Sequence, residues 1–135
     1  MDVEKYKAAL EAHKHYDTVS IAIVGGQLAI SGASFFIYEK IEGTPVDYLP
    51  FVITALCILI LLSLYRHCAY FANVARNVAA DLEQGKEIPG VSVAFKTNSH
   101  PANKSWRRGI YGKVHFLSFI LVAGLVASAV VVLNK

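Results

Sequence analysis

Residues 18–38 read TVSIAIVGGQLAISGASFFIY, without a charge anywhere in the stretch. A membrane-spanning helix needs roughly 20 predominantly apolar residues, and this segment supplies them. Two further segments qualify: residues 49–65, LPFVITALCILILLSLY, and residues 114–133, VHFLSFILVAGLVASAVVVL. The whole 135-residue chain agrees with them, being 55% hydrophobic and only 17% charged. A soluble domain carries roughly 45–50% apolar and about 25% charged residues. The sequence therefore predicts an all-α integral membrane protein with three transmembrane helices. The segment before the first span, residues 1–17, carries Asp2, Glu4, Glu11 and Asp17 and lacks a basic leader, so it does not read as a signal peptide.

Basic residues set the expected orientation. Lys5, Lys7 and Lys14 precede the first span. The loop between the first two spans has only Lys40, among Glu39, Glu42 and Asp47. Residues 66–113 carry Arg66, Arg76, Lys86, Lys96, Lys104, Arg107, Arg108 and Lys113, and only Lys135 follows the third span. The N-terminus and the long segment are expected in the cytoplasm, with the short acidic loop and the C-terminus on the opposite side. Cys57 and Cys68 then lie in the membrane or on the reducing side, and read as free thiols.

The second helix continues beyond its span. Leu64, Cys68, Phe71, Ala75, Val78 and Leu82 follow steps of three and four, a heptad seam. The pattern runs through residues 66–84 and stops at Gly85, a C-cap residue by type. From Pro50 to Gln84 such a helix is about 52 Å long. In the N-terminal segment Val3, Tyr6, Leu10, His13 and Asp17 have the same spacing. Helices 1 and 2 are thus expected to extend into a cytoplasmic helical hairpin, with Leu10, Phe71, Val78 and Leu82 in its seam. An amphipathic helix lying on the lipid surface is the alternative. Residues 85–113 are turn-rich and basic, and read as an irregular cap in which Val91–Phe95 is the one candidate for a short strand, with no obvious partner.

Span one has two special faces. Ala22, Gly25, Ala29, Gly32 and Ala33 form a small face of the kind that lets another helix approach closely. Ser20, Gln27, Ser31 and Ser34 form a polar face. Inward, the polar line reaches Asp17, His13 and Leu10; outward, it reaches Tyr38. An amide at mid-membrane needs a partner or water. Both faces need cover, which predicts a homo-oligomer of four or more subunits with span one central. Two readings of the polar face follow. Either Ser20, Gln27, Ser31 and Ser34 line a pore whose mouth carries His13 and Asp17 and so favours cations, or they hydrogen-bond between packed helices.

The basic segment also has two readings. Its charges with Trp106 and Tyr111 serve orientation and contact anionic lipid, or Lys96, Lys104, Trp106, Arg107 and Arg108 bind an anionic nucleotide or oligonucleotide through phosphate pairing and base stacking. A metal site would need three or four converging ligands. His13, His15 and His67 are the only candidates, so no metal or other cofactor is expected. No nucleophile–base pair is positioned by the sequence, and an enzyme is the least expected class.

YKAALEAHKHYD (residues 6–17), the first two spans and YRHCAYFANVARNVAADLE (residues 65–83) together resemble the SLATT-type small membrane proteins of bacterial conflict systems. The resemblance is of architecture over about Met1–Glu83, and the third span departs from that family's two-span pattern. It implies a pore-forming effector of anti-phage defence under the control of a nucleotide signal. The reading that follows is an oligomeric gated channel. Its rival is a non-conducting scaffold or accessory subunit that recruits a cytoplasmic protein partner through the hairpin. A phage holin also can have three spans, but an N-terminus inside fits that class poorly.

Overall fold

The computed structural model describes residues 2–97 and 110–135, and every regular element among them is helical. Helix α1 is Val3–Ile41, α2 is Leu49–Glu83, α3 is Val91–Thr97 and α4 is Ile110–Leu133. Three of these, α1, α2 and α4, are long and apolar enough to cross a membrane. The contacts divide the chain into two compact units, one of residues 1–21 and 65–111, the other of residues 22–64 and 112–135.

In the first unit α1 and α2 pack through small residues. Ala9, Ala75 and Val78 are fully buried, with Val74, Ala79 and Leu82 beside them. The contact face of α1 is Tyr6, Ala9, His13, Tyr16 and Ser20, one position away from the expected line through Leu10 and Asp17. Leu10 is 42% exposed and Asp17 faces solvent. The physical reason is visible in what the shift gains. It leaves a carboxylate in water and brings the Tyr16 ring to 5.3 Å from Phe71. On α2, Phe71, Val78 and Leu82 do lie in the packed face, whereas Leu64 is 50% exposed.

Val91–Phe95, a candidate strand within a cap expected to be irregular, is instead part of the helix α3. A lone strand leaves its backbone groups unpaired, whereas a helix satisfies them internally. Gly90 O accepts the amides of Val93 and Ala94 to start the turn. Val91 and Ala94 then share one face and enter the core, and Phe95 meets Phe71 at 4.7 Å and Tyr16 at 5.7 Å.

The end of α2 follows from one glycine. Gly85 has φ 75°, a conformation that costs an L-residue roughly 1–2 kcal/mol. It lets the Gly85 amide bond to Leu82 O and the Lys86 amide to Asp81 O, the paired bonds of a Schellman cap. The Lys86 ammonium closes the cap on the Asp81 carboxylate at 2.6 Å.

In the second unit α2 and α4 meet through Phe51, Ala55, Ile58, Leu125 and Ala129. Ile30 and Tyr38 of α1 pack on the same cluster. Large side chains such as Leu56, Ile60, Phe116 and Phe119 point outward and are more than half exposed, which suits lipid as the surrounding solvent. Residues 42–48 turn the chain from α1 to α2. Thr44 N bonds to Ile41 O, and Gly43 N donates to the Asp47 carboxylate at 3.1 Å. Pro50 sits in the first turn of α2, where a missing N–H costs nothing.

The cap gives a direct test. Gly85→Ala is expected to lower the unfolding free energy in detergent by about 1 kcal/mol, read as a shift in the denaturation midpoint.

Candidate functional site: the polar core of the spans and the tie at their end

Gln27 is fully buried in the second unit. Its Nε2 donates to Ile58 O of α2 at 3.4 Å. Its Oε1 lies 3.0 Å from Ser118 Oγ of α4. Ser118 is also fully buried and lies 2.9 Å from the Val114 carbonyl. A hydroxyl has one proton, so the two acceptors share it. One amide thus touches both other spans.

The serines of the same face satisfy themselves locally. Ser31 Oγ donates to Gln27 O at 2.7 Å and Ser34 Oγ to Ser31 O at 2.7 Å. In the first unit Ser20 Oγ donates to Tyr16 O at 2.8 Å. All four of Ser20, Gln27, Ser31 and Ser34 are buried within the subunit. The small face behaves oppositely. Ala22, Gly25, Ala29, Gly32 and Ala33 are all exposed, and a Cβ added at Gly25 or Gly32 would meet nothing within 4 Å.

Of the remaining expected site residues, His13 is half-buried, with Nδ1 3.0 Å from Ala72 O. A carbonyl only accepts, so that contact places the proton on Nδ1. Lys96 is exposed on α3. Lys104, Trp106, Arg107 and Arg108 lie outside the described residues. Among the described residues, no three His, Cys, Asp or Glu side chains converge as metal ligands do, and the His67 ring packs on Phe71 at 4.6 Å.

Two contacts escaped the sequence reading. The apolar pattern of the third span does not say which of its residues lies level with Gln27, and Ser118 is the one that does. A sharper use of the orphan-amide argument, asking which hydroxyl on another span lies at matching depth, would have found it.

The second missed contact joins Tyr38, Glu42 and Lys135. Tyr38 Oη donates to Glu42 Oε1 at 2.9 Å, and Lys135 Nζ reaches Tyr38 Oη at 3.2 Å and Glu42 Oε1 at 3.3 Å. The ammonium also lies 5.8 Å from the Tyr38 ring centre. No sequence pattern links positions so far apart. The hydrogen bond from Tyr38, then Lys135, holds the Glu42 carboxyl below the usual carboxylate range. Bonds to Tyr38 and Glu42 push the Lys135 ammonium up.

Comparison with protein-family models, curated proteins and solved structures finds no match to this chain.

Two expectations follow. Gln27→Leu is expected to destabilise the subunit by about 1 kcal/mol in bicelles. A double-mutant cycle with Ser118→Ala should give a coupling of about 0.6 kcal/mol, the mean for hydrogen bonds between spans. The tie at Glu42 should be lost at both extremes of pH. Its carboxyl is depressed, so its contribution vanishes as pH falls through the folded-state pKa, below the usual range. Lys135 is raised, so its contribution is complete below the ordinary lysine pKa and vanishes as pH rises through the higher folded value. Side-chain NMR titration of Glu42 and Lys135, with and without Tyr38→Phe, reads both limits.

Proposed function

We propose that this chain is a non-conducting membrane subunit, a three-span scaffold or accessory protein that assembles with copies of itself and holds a cytoplasmic protein partner. The observation that carries this reading is Gln27. Its amide is satisfied inside the subunit by Ile58 O and Ser118 Oγ, so the polar face that would line a conduit is used in holding the spans together. The outward small face supports assembly, because close approach of small residues is how helices associate in lipid. The count of basic residues supports a cytoplasmic N-terminus and basic segment with the C-terminus on the other side, and the resemblance to SLATT-type proteins supports a bacterial inner-membrane location with that C-terminus in the periplasm.

The gated pore is the competing reading. It requires Gln27, Ser31 and Ser34 to turn from their partners toward a shared axis, with Asp17 and His13 at the mouth. On the resemblance to SLATT-type proteins, that pore would be an anti-phage effector, and Lys96, Lys104, Trp106, Arg107 and Arg108 would receive its nucleotide signal.

One set of proteins decides between them. Native mass in nanodiscs and ion flux in liposomes are measured for the wild type, Gln27→Leu and Gly25→Leu/Gly32→Leu. The scaffold reading expects an oligomer without flux, Gln27→Leu still oligomeric, and the glycine variant reduced to a monomer that keeps its helicity. Flux that Gln27→Leu abolishes while the oligomer persists would establish the pore instead.

A further inference from the structure

We propose that the second unit carries a binding site for an amine-bearing, zwitterionic phospholipid, built where the end of α4 meets α1 and the α1–α2 turn. The site rests on the reading of α1, α2 and α4 as membrane spans.

The site has two adjoining compartments of opposite character. The first is an apolar groove of about 350 Å³, lined by Phe35, Phe51, Ala127, Ser128, Val131 and Val132. Phe51, 2% exposed, meets the Phe35 ring edge to face at 5.1 Å and the Tyr38 ring at a tilt at 5.2 Å. Away from Tyr38 and Lys135 at its edge, the wall has one hydroxyl, on Ser128, which is bonded back to Gly124 O at 2.9 Å. That part of the groove therefore asks nothing polar of its occupant and suits a hydrocarbon chain.

The second compartment is a cleft of about 530 Å³ that includes Glu42, Thr44, Asp47 and Tyr48. Tyr38, Val132 and Lys135 line both compartments. A molecule filling the two must be apolar at one end and polar at the other, with the change at Tyr38 and Lys135. That is the shape of a lipid lying along a span with its headgroup at the turn.

Charge selects the headgroup. The cleft is lined by two carboxylates, Glu42 and Asp47, and one ammonium, Lys135; the ammonium pairs with Glu42, and the Asp47 carboxylate accepts the Gly43 amide at 3.1 Å. The side chains of Lys135 and Glu42 are 61% and 56% exposed although paired at 3.3 Å, so both can take a further partner. An ammonium has three donors, of which Tyr38 and Glu42 take two. A headgroup phosphate complements Lys135, and a headgroup ammonium complements Glu42 and Asp47. Phosphatidylethanolamine offers both, with N–H donors for the carboxylates. Phosphatidylcholine has the charge without the donors. Phosphatidylglycerol has the phosphate alone and meets an excess of negative charge.

The test uses the full chain. Alkaline carbonate extraction of membranes comes first: release of the chain into the soluble fraction would overturn the spanning reading and this site with it. The retained protein is then purified in detergent, delipidated and titrated by native mass spectrometry. The probes are phosphatidylethanolamine, phosphatidylcholine and phosphatidylglycerol with identical acyl chains. Phosphatidylethanolamine should bind about tenfold tighter than either of the others, the scale of one charge-assisted hydrogen bond. Glu42→Gln/Asp47→Asn should erase that preference and leave binding itself. Ala127→Trp, at an exposed position on the groove wall, should weaken all three lipids, whereas Leu56→Trp on another lipid-facing surface should not. Circular dichroism checks that each variant keeps its helicity. Equal binding of the three lipids, preference for phosphatidylglycerol, or indifference to Ala127→Trp in a chain that resists carbonate would overturn the lipid site alone.

Discussion

A carboxamide buried among three helices apolar enough to cross a membrane has very few ways to exist. Gln27 brings donors and an acceptor into an apolar interior, where each unmet group costs several kcal/mol. It settles by donating to a backbone carbonyl of α2 and accepting from a hydroxyl of α4. This matters more in lipid than in water. Lipid tails are as apolar as leucine, so burial of apolar side chains supplies no drive for helices to associate, and packing with hydrogen bonds must do it. The Gln27 contacts fix which turn of each span faces which. Once Ile58 and Ser118 are held against α1, the rows Phe51, Ala55 and Ile58 on α2 and Leu125 and Ala129 on α4 face one another.

The first unit is assembled by different physics. There α1 and α2 come together on alanines: Ala9 against Ala75 and Ala79, with Val78 and Leu82 filling beside them. Small residues permit a short interhelical distance but bury little area each. The aromatic cluster of Tyr16, Phe71 and Phe95 adds what they lack, since aromatic side chains dominate the burial of any core they join. Helix α3 owes its place to that cluster. At seven residues it is too short to hold itself in water, and it persists because Val91, Ala94 and Phe95 share one packed face.

How far the sequence could be read follows from these two regimes. The spans were legible because hydropathy and length are properties of a segment alone. That Gln27, Ser31 and Ser34 need cover was legible because unmet polar groups among apolar helices are costly. That the cover comes from within the subunit and not from further copies was not legible, since the partner is set by the relative register of the helices. In the first unit the seam was misread by one position. On an alanine-rich helix the hydrophobic pattern is nearly flat, and Leu10 looked a better core residue than Ala9. The choice was made by Tyr16, whose ring has aromatic partners on two other helices, one of them (α3) in a cap expected to be irregular. The tie between Glu42 and Lys135 had no sequence signal, because it depends on two helix ends meeting.

Helix α1 therefore does two jobs on opposite faces. Its polar face points to α2 and α4 and sets the register of the spans. Its small face, from Ala22 to Ala33, points away from them and is left uncovered within the subunit. Were the helix rotated to place the polar face outward, Gln27 would lose both partners, and Gly25 and Gly32 would leave gaps where α2 and α4 now pack against larger atoms. The division has a physical logic. Hydrogen bonds are directional and belong where the geometry must be unique, as in the fold of one chain. Close approach of small residues is less demanding in angle and suits contact between separately folded helices, which must find each other by diffusion in the bilayer.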